Sequence, residues 1–534
     1  MTTSDLAGAT TSDLDASGAS GWDADRALSW AFPVLLAGVG VLLLWYGERQ
    51  WFFLDEWSVL TDRPMPSLDS LLRSHNGHWI ALNVVAYKFN FWLFGLHTYL
   101  PYQLPTVLLH LGIAFLLRRT MMRYGVRNWI ASFLALAFAL FGTGFENIVS
   151  AFQISLNGSV FLGLIYLELV DRDGPWTRRD GWAMAVGFLC LTTSGVAIPM
   201  IAGATVAMLL RRGPVIAATH AVSLAAIYIG WYLAYATGTG PEQAGSPGGV
   251  ANFVAELGAA TADGLAQYAA GAAVLIVVFA VGLYAIGDIE DDRPHGVLAL
   301  VAAYVTFAVL IGYSRIGEIE AAGAELDLSN SSRYRHVTAA LLLPTVGLGA
   351  EWLARRAAVL ALPVLGALVI GIPGNLETLD DRLVLGNERQ IALLAYSEVI
   401  NDVPPGHRPV SAGILGRQDI TAGWLAGAAV SGKIDPPADP TPTERLTAIA
   451  ALSVEQTSAF PRSDACTAFT GAVRRTLDRQ TGILFTGSIR VRLNEGDASS
   501  TPARFDERNG RQLLILSGPL DLTIPPVNDS AALC

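Results

Sequence analysis

The chain has 534 residues, 52% of them hydrophobic and only 15% charged, with a formal net charge of −11. A soluble domain carries about 25% charged residues, so most of this chain is expected in lipid. The acidic balance argues against nucleic acid as a partner and against a polybasic lipid-binding role.

Residues 1–27 are rich in Ser, Thr, Ala, Gly and Asp, with Arg26 as their only basic residue, a composition that reads as a disordered tail. Apolar runs of roughly 17 to 22 residues then recur from Leu28 to Pro373, each long enough to cross a hydrocarbon core. The first, Leu28 to Tyr46, is of full spanning length and reads as a retained signal-anchor rather than a cleaved signal. Basic residues gather at Arg118/Arg119/Arg123/Arg127, Arg172/Arg178/Arg179, Arg211/Arg212 and Arg355/Arg356. If all of these face the cytoplasm, about eleven spans follow, at 28–46, 99–117, 128–144, 152–170, 182–195, 197–210, 215–235, 265–286, 297–313, 335–353 and 357–373. The N-terminus is then cytoplasmic, residues 47–98 form a long first outer loop, and residues 374–534 form an extracytoplasmic domain. The fifth and sixth spans are short and meet at Thr193-Ser194-Gly195-Val196. Half-length helices of this kind join where protein or a water-filled cavity surrounds the break. Trp79 to Leu96 is nearly apolar enough to span, but Asn83, Lys88 and Asn90 interrupt it, and it reads as an amphipathic helix in the outer interface.

The expected fold is an all-α polytopic membrane protein carrying a small mixed α/β C-terminal domain. In that domain, helices are expected at 388–401, 443–455 and 464–478 and strands at 487–493 and 512–516. Three cysteines are too few for a disulfide scaffold. Cys190 lies in an apolar run, and Cys466 and Cys534 are either bridged or free outside the membrane.

The chemistry-bearing residues gather on the outer side. Asp55 and Glu56 stand in Trp51-Phe52-Phe53-Leu54-Asp55-Glu56-Trp57, near the mouth of the first span. Adjacent carboxylates among aromatics carry a solvation cost that marks functional candidates; the alternative is a cap at the membrane–water boundary beside an aromatic belt. Outside the cell an activated donor must arrive on a lipid. Sugar transfer from a polyprenyl phosphate needs a carboxylate to deprotonate the acceptor and cations to hold the leaving phosphate. Asp55 suits the first task, and Arg333 and Arg335 the second, since a guanidinium matches phosphate bidentately. The two arginines otherwise serve as interfacial anchors. His75 and His78, spaced to share a helical face, with Asp55 are one reading of a divalent-cation site. Hydrogen bonding to acceptor or backbone is a second and a structural role a third, and Asn76-Gly77 between them favours a turn. No metal or other cofactor is assigned. Glu146, Asn147 and Gln153 either cap helices or line a substrate cavity with His75, Asn76 and His78. His110, Asn157 and Glu168 read as interhelical hydrogen-bonding groups.

An acidic pair just after the first span, with a long outer loop ending in Gly77-His78-Trp79…Phe94-Gly95…Tyr99, resembles the GT-C superfamily of polyprenyl-phosphate-dependent glycosyltransferases. The stretches Gly144-Phe145-Glu146-Asn147-Ile148-Val149-Ser150-Ala151-Phe152-Gln153-Ile154, Thr193-Ser194-Gly195-Val196-Ala197 and Ser332-Arg333-Tyr334-Arg335-His336-Val337 are similar to actinobacterial multi-pass members of that type. The resemblance covers about residues 28–373. It implies a plasma-membrane enzyme moving a sugar from a polyprenyl-phosphate donor to a cell-envelope glycan, lipid or protein. It further implies Asp55 or Glu56 as the base and Arg333 at the donor phosphate with Tyr334 beside it. Glu146 corresponds to the superfamily's second acidic motif, though it stands in Glu-Asn rather than in an acidic pair. A transporter or flippase of a lipid-linked saccharide and a non-catalytic envelope assembly protein are the competing readings. The chain shows no internal repeat of the kind many transporters carry.

Overall fold

The computed structural model describes residues 16–53, 55–65, 67–238, 244–288, 294–322, 328–381 and 420–434, with short stretches of 441–533 that include the strands below. The helices in chain order are α1 Ala16–Gly47, α2 Asp55–Thr61, α3 Leu68–Leu72, α4 Ala81–Phe94, α5 Leu100–Arg123, α6 Asn128–Ala139, α7 Phe145–Val149 and α8 Ile154–Val170. They continue with α9 Arg178–Leu191, α10 Ala197–Arg212, α11 Pro214–Tyr235, α12 Pro247–Ala266, α13 Ala269–Asp288, α14 His295–Ala322, α15 Ser332–Arg356, α16 Leu362–Asp381 and α17 Ala422–Val430. The chain divides into two compact units, one of residues 1–45, 73–80 and 105–381, the other of residues 46–72, 81–104 and 382–534.

The first unit is the body of a polytopic membrane protein. Among the described residues, eight helical stretches are long and apolar enough to cross a membrane: Asp25–Gly47, α5, Ala151–Val170, α11, α13, His295–Gly317, α15 and Ala358–Asp381. A ninth appears if α6 and the stretch Gly142–Val149, bent from it by 45°, are taken as one span. The expected fifth and sixth spans are α9 and α10, of 14 and 16 residues; at 1.5 Å per residue they reach only about 21 and 24 Å, less than a hydrocarbon core. Helix α12 lies between two expected spans and carries Glu256 and Asp263. Helix α1 begins at Ala16, inside the stretch expected to be disordered.

Close backbone approach holds α13 against α15. A Cβ on Gly282 would sit 2.0 Å from the Thr345 carbonyl oxygen, and one on Gly349 would sit 2.1 Å from that of Val278. Small residues permit this approach, and in lipid close van der Waals packing replaces the missing hydrophobic drive. The bend after α6 is anchored through polar groups. Asn375 Oδ1 accepts from the Thr143 N–H and hydroxyl at 2.9 and 3.0 Å, while Gln267 Nε2 donates to Thr143 Oγ1 at 2.8 Å. The backbone groups freed by the bend therefore meet protein partners, as irregular backbone at membrane depth requires.

In the second unit, α2, α3 and α4 belong with α17 and the C-terminal strands. The strands are β1 Val454–Thr457, β2 Thr467–Phe469, β3 Val473–Leu477, β4 Thr481–Phe485, β5 Ser488–Glu495, β6 Ala498–Ser499, β7 Ala503–Asp506, β8 Gln512–Leu516, β9 Leu520–Ile524 and β10 Ala531–Leu533. They form one sheet ordered β1-β8-β4-β10-β2 and another ordered β3-β9-β5-β6, with β7 also pairing β5. The expected strands at 487–493 and 512–516 are β5 and β8. In β5, Ile489, Val491 and Leu493 are buried while Arg490 and Arg492 are exposed, the period of two that one buried face imposes. The helix expected at 464–478 is instead β2 and β3, antiparallel to β10 and β9. Thr467, Val473 and Thr476 are β-branched, and ladder pairing with distant strands overrides the local helical pattern. Of the segment 443–455, Thr443 and Leu446 are helical but Val454 and Glu455 open β1. The segment 388–401 and the two residues Cys466 and Cys534 lie outside the described residues.

Candidate functional site

Chain geometry after the first span separates the two adjacent carboxylates. Helix α2 starts at Asp55, so both acids fall in its first turn, where the exposed amides and the positive end of the dipole favour them. Glu56 turns back: its Oε2 accepts from the Phe53 N–H at 2.6 Å, three residues earlier, in the manner of a capping glutamate. Its Oε1 accepts hydroxyls from Tyr87 at 2.5 Å and Tyr99 at 2.7 Å. Only 1% of Glu56 is exposed. Burial, with the Glu56 carboxylate beside it, raises the Tyr87 hydroxyl pKa well above its ordinary value, so it remains a donor. Phe52 closes the nest edge-on, with ring centroids 5.0 Å from Tyr99 and 4.7 Å from Tyr102. Asp55 is half-buried, and its main-chain carbonyl accepts from Ser58 Oγ at 2.8 Å.

The C-terminal region contributes to the same unit. Trp424 of α17 meets Trp57 edge-on at 6.3 Å and stacks on Phe91 at 5.6 Å. The Leu96 N–H donates to the Lys433 carbonyl at 2.6 Å, and Lys433 Nζ donates to that of Trp92 at 2.6 Å. Gly95, at φ +59°, sits where a Cβ would meet the Lys433 carbonyl oxygen at 2.6 Å, so glycine is required by both backbone and space. Sequence reading missed Tyr87 and Trp424, and named Tyr99 only as the end of the first outer loop. The available signal was the spacing of Asn83, Tyr87 and Asn90, which puts three polar side chains on one face of α4. All three are buried, whereas Val85, Phe89, Trp92 and Leu93 are exposed. The helix is amphipathic as expected, with its polar face toward protein.

In the first unit, His75 and His78 do not share a helix. Each donates its N–H to the other's carbonyl at 2.9 Å, with Asn76 and Gly77 between them at φ +49° and +79°. This is the two-residue hairpin turn that Asn-Gly favours, since both central residues need positive φ. His75 packs on Phe152 with ring centroids 5.4 Å apart. His78 approaches Gly195 so closely that a Cβ there would lie 2.7 Å from Nδ1, which puts the turn between α9 and α10 beside the hairpin. His78 is surrounded by protein yet keeps an accessible side chain, as a residue lining a recess does. Crowding by protein, then the charges of Arg315, His75 and Arg333, push its pKa down to about 4. These three neighbours are all basic. Among the described residues no group of three or more His, Cys, Asp or Glu is arranged to hold a metal ion.

Helix α15 begins at Ser332 and carries the expected basic element. Arg333 is exposed, with its guanidinium carbon 5.4 Å from the Tyr334 ring centroid. Tyr334 meets Phe307 of α14 edge-on at 6.1 Å, and Arg335 Nη1 donates to Asn330 Oδ1 at 3.2 Å. The two arginines thus have different surroundings. Glu146 is half-buried in the first turn of α7, where its N–H donates to Ser332 Oγ at 3.1 Å. Asn147 is fully buried and bonded to α15 rather than open to solvent, and Gln153 is buried at the start of α8. Asn147 Oδ1, Gln153 Oε1 and Asn157 Oδ1 have no hydrogen-bond partner among the described residues. His110 and Asn157 make interhelical bonds, to His336 at 2.9 Å and to the carbonyls of Thr106 and Asn147 at 3.3 and 2.6 Å. Glu168 pairs with Arg119 at 2.8 Å.

Helices α12, α13, α14 and α15 border an open recess of about 320 Å³ lined by residues that include Leu265, Phe279, Tyr304, Leu342 and Val346. The Tyr304 hydroxyl donates to the Val254 carbonyl and Thr261 donates to that of Leu257, so the lining presents hydrocarbon.

No protein-family model matches the chain, and no curated protein matches it. Among solved structures it is similar to ArnT from Cupriavidus metallidurans, in a crystal structure bound to undecaprenyl phosphate. That similarity is 14% in sequence with a TM-score of 0.45, and covers 76% of this chain and 89% of the other.

Proposed function

We propose that this protein is a plasma-membrane glycosyltransferase of GT-C type, moving a sugar from a polyprenyl-phosphate donor to an extracytoplasmic cell-envelope acceptor. The observation that carries this reading is the unequal fate of the adjacent acids. Glu56 is enclosed with both oxygens occupied, while Asp55 is half-buried at the start of the helix that Glu56 holds. A carboxylate as deeply buried as Glu56 is a poor general base, because no acceptor hydroxyl can approach it. Asp55 is therefore the base and Glu56 its orienting neighbour. Asp55 takes the proton of the acceptor hydroxyl, and the acceptor oxygen forms the new bond to the anomeric carbon. The bond from that carbon to the phosphate oxygen breaks, and polyprenyl phosphate leaves with the electron pair.

Arg333 contacts the leaving phosphate, and Arg315 and His78 add positive potential and a hydrogen-bonding group. The charges of Arg315 and Arg333 both act on His78, which supports this assignment. The apolar recess of the first unit suits a hydrocarbon chain. Asp55→Asn tests the proposal in protein purified into nanodiscs and supplied with polyprenyl-phosphate sugars. Release of polyprenyl phosphate should fall by about 100-fold or more, the usual size of a general-base contribution, with the unfolding temperature unchanged. Full release by that variant overturns the reading.

A second reading is favoured by the bend of 45° after α6 and by the half-length helices α9 and α10. Broken helices of this kind line translocation sites in transporters. Movement of a lipid-linked saccharide across proteoliposomes without cleavage would establish that reading instead.

A further inference from the structure

The buried polar groups around the α6 bend form a chain of hydrogen bonds whose direction is set from one end. Thr143 gives its N–H to Asn375, which leaves the carbonyl of Ala139, four residues earlier, to another donor. His110 Nε2 supplies it, at 3.0 Å. A carbonyl only accepts, so Nε2 carries the hydrogen and, in a neutral imidazole, Nδ1 accepts. His110 Nδ1 accordingly takes the Nε2–H of His336 at 2.9 Å. His336 Nδ1 accepts in turn from Asn147 Nδ2 at 3.1 Å. The second hydrogen of that amide goes to the main-chain carbonyl of Arg333 at 3.2 Å. His110, His336 and Asn147 are all fully buried. The preceding residue of α7, Glu146, gives its N–H to Ser332 Oγ. Two successive residues of α7 therefore grip two successive residues at the start of α15.

A packing role would be met by leucine, branched like asparagine and with as many non-hydrogen atoms, without two buried amide hydrogens each aimed at an acceptor. We infer that Asn147 is a positioning residue for Arg333, with His336 and His110 fixing the orientation of its amide. The inference rests on the reading of Arg333 as the donor-phosphate contact. The guanidinium is exposed, so what the relay supplies is a fixed root for that side chain.

The experiment measures binding of undecaprenyl phosphate by the full chain in nanodiscs, with unfolding temperature followed in parallel. Arg333→Ala should weaken binding about tenfold or more, the value of a charge-assisted bond. Asn147→Leu should weaken it comparably, and the double variant should bind no worse than Arg333→Ala alone. Asn147→Leu combined with Arg315→Ala should instead be additive. His336→Asn keeps an acceptor near the place of Nδ1 and should preserve affinity that His336→Leu loses; these two variants decide the matter if Asn147→Leu does not fold. Unchanged binding by Asn147→Leu, losses that add to those of Arg333→Ala, or equal losses in both His336 variants overturn the positioning role while leaving the phosphate contact standing. Unchanged binding by Arg333→Ala removes the phosphate contact itself, and the positioning role with it.

Discussion

The Tyr87 hydroxyl donates to Glu56 Oε1 at 2.5 Å across 31 residues of chain. That bond joins α4 to the first turn of α2 and, with Tyr99, gives a buried carboxylate the donors that water would otherwise supply. Removing one donor leaves the charge in place with less compensation. Tyr87→Phe should therefore destabilise the protein by about 1.5–3 kcal/mol, read as a lower unfolding temperature in detergent. An unchanged unfolding temperature would show that the carboxylate is not held in this way.

His78 should titrate far below an ordinary histidine, near pH 4 against 6.5. Between those values the unfolded chain binds a proton that the folded state does not. Its contribution is therefore constant above about pH 6.5, and stability declines as pH falls through that window. Histidine-selective carbon-13 labelling, with the resonance assigned by its loss in His78→Gln, measures the midpoint. Added undecaprenyl phosphate should raise it, because an anion among Arg315, Arg333 and His78 favours the charged ring. A midpoint near 6.5 in the free protein contradicts the geometry.

Gly349→Ala places a methyl group 2.1 Å from the Val278 carbonyl oxygen. Backbone cannot yield as a flexible side chain can, so α13 and α15 must separate. The cost should be about 3 kcal/mol. Gly366→Ala on α16, where nothing lies within 4 Å of the added carbon, should be neutral. Equal unfolding temperatures for the two variants would refute the close approach.

The exposed face of α4 should lie against lipid. A nitroxide on Phe89→Cys should be protected from a water-soluble relaxation agent and accessible to oxygen, whereas one on Asn76→Cys should show the reverse. Polar Asn83 and Asn90 on the inner face and Trp92 on the outer one are the arrangement an interfacial helix needs. Water accessibility at position 89 equal to that at 76 would count against it.

Much of the molecule was legible without coordinates, because solvation acts locally. A run of apolar residues must be helical in lipid wherever it occurs, and the expected spans correspond to helices, including the two short ones that meet near Gly195. Asn76-Gly77 favoured a turn, since few other pairs accept positive φ at both positions, and the turn displaced the shared helical face that the spacing of His75 and His78 also allowed. The alternation along β5 likewise needed no partner to be read. The fate of the chemistry-bearing side chains was decided elsewhere. Asp55 and Glu56 are neighbours of equal charge, and nothing adjacent distinguishes them. Glu56 is enclosed because tyrosines 31 and 43 residues away reach it. Asn147, read as a cap or a cavity-lining group, is bound to His336 189 residues on, and His336 to His110 across 226. The strands at β2 and β3 exist because β10 and β9 offer them ladders. Hydropathy and turn preference belong to a residue and its immediate backbone, whereas a hydrogen bond needs a partner at the right distance and angle, and only packing of the whole chain supplies that partner.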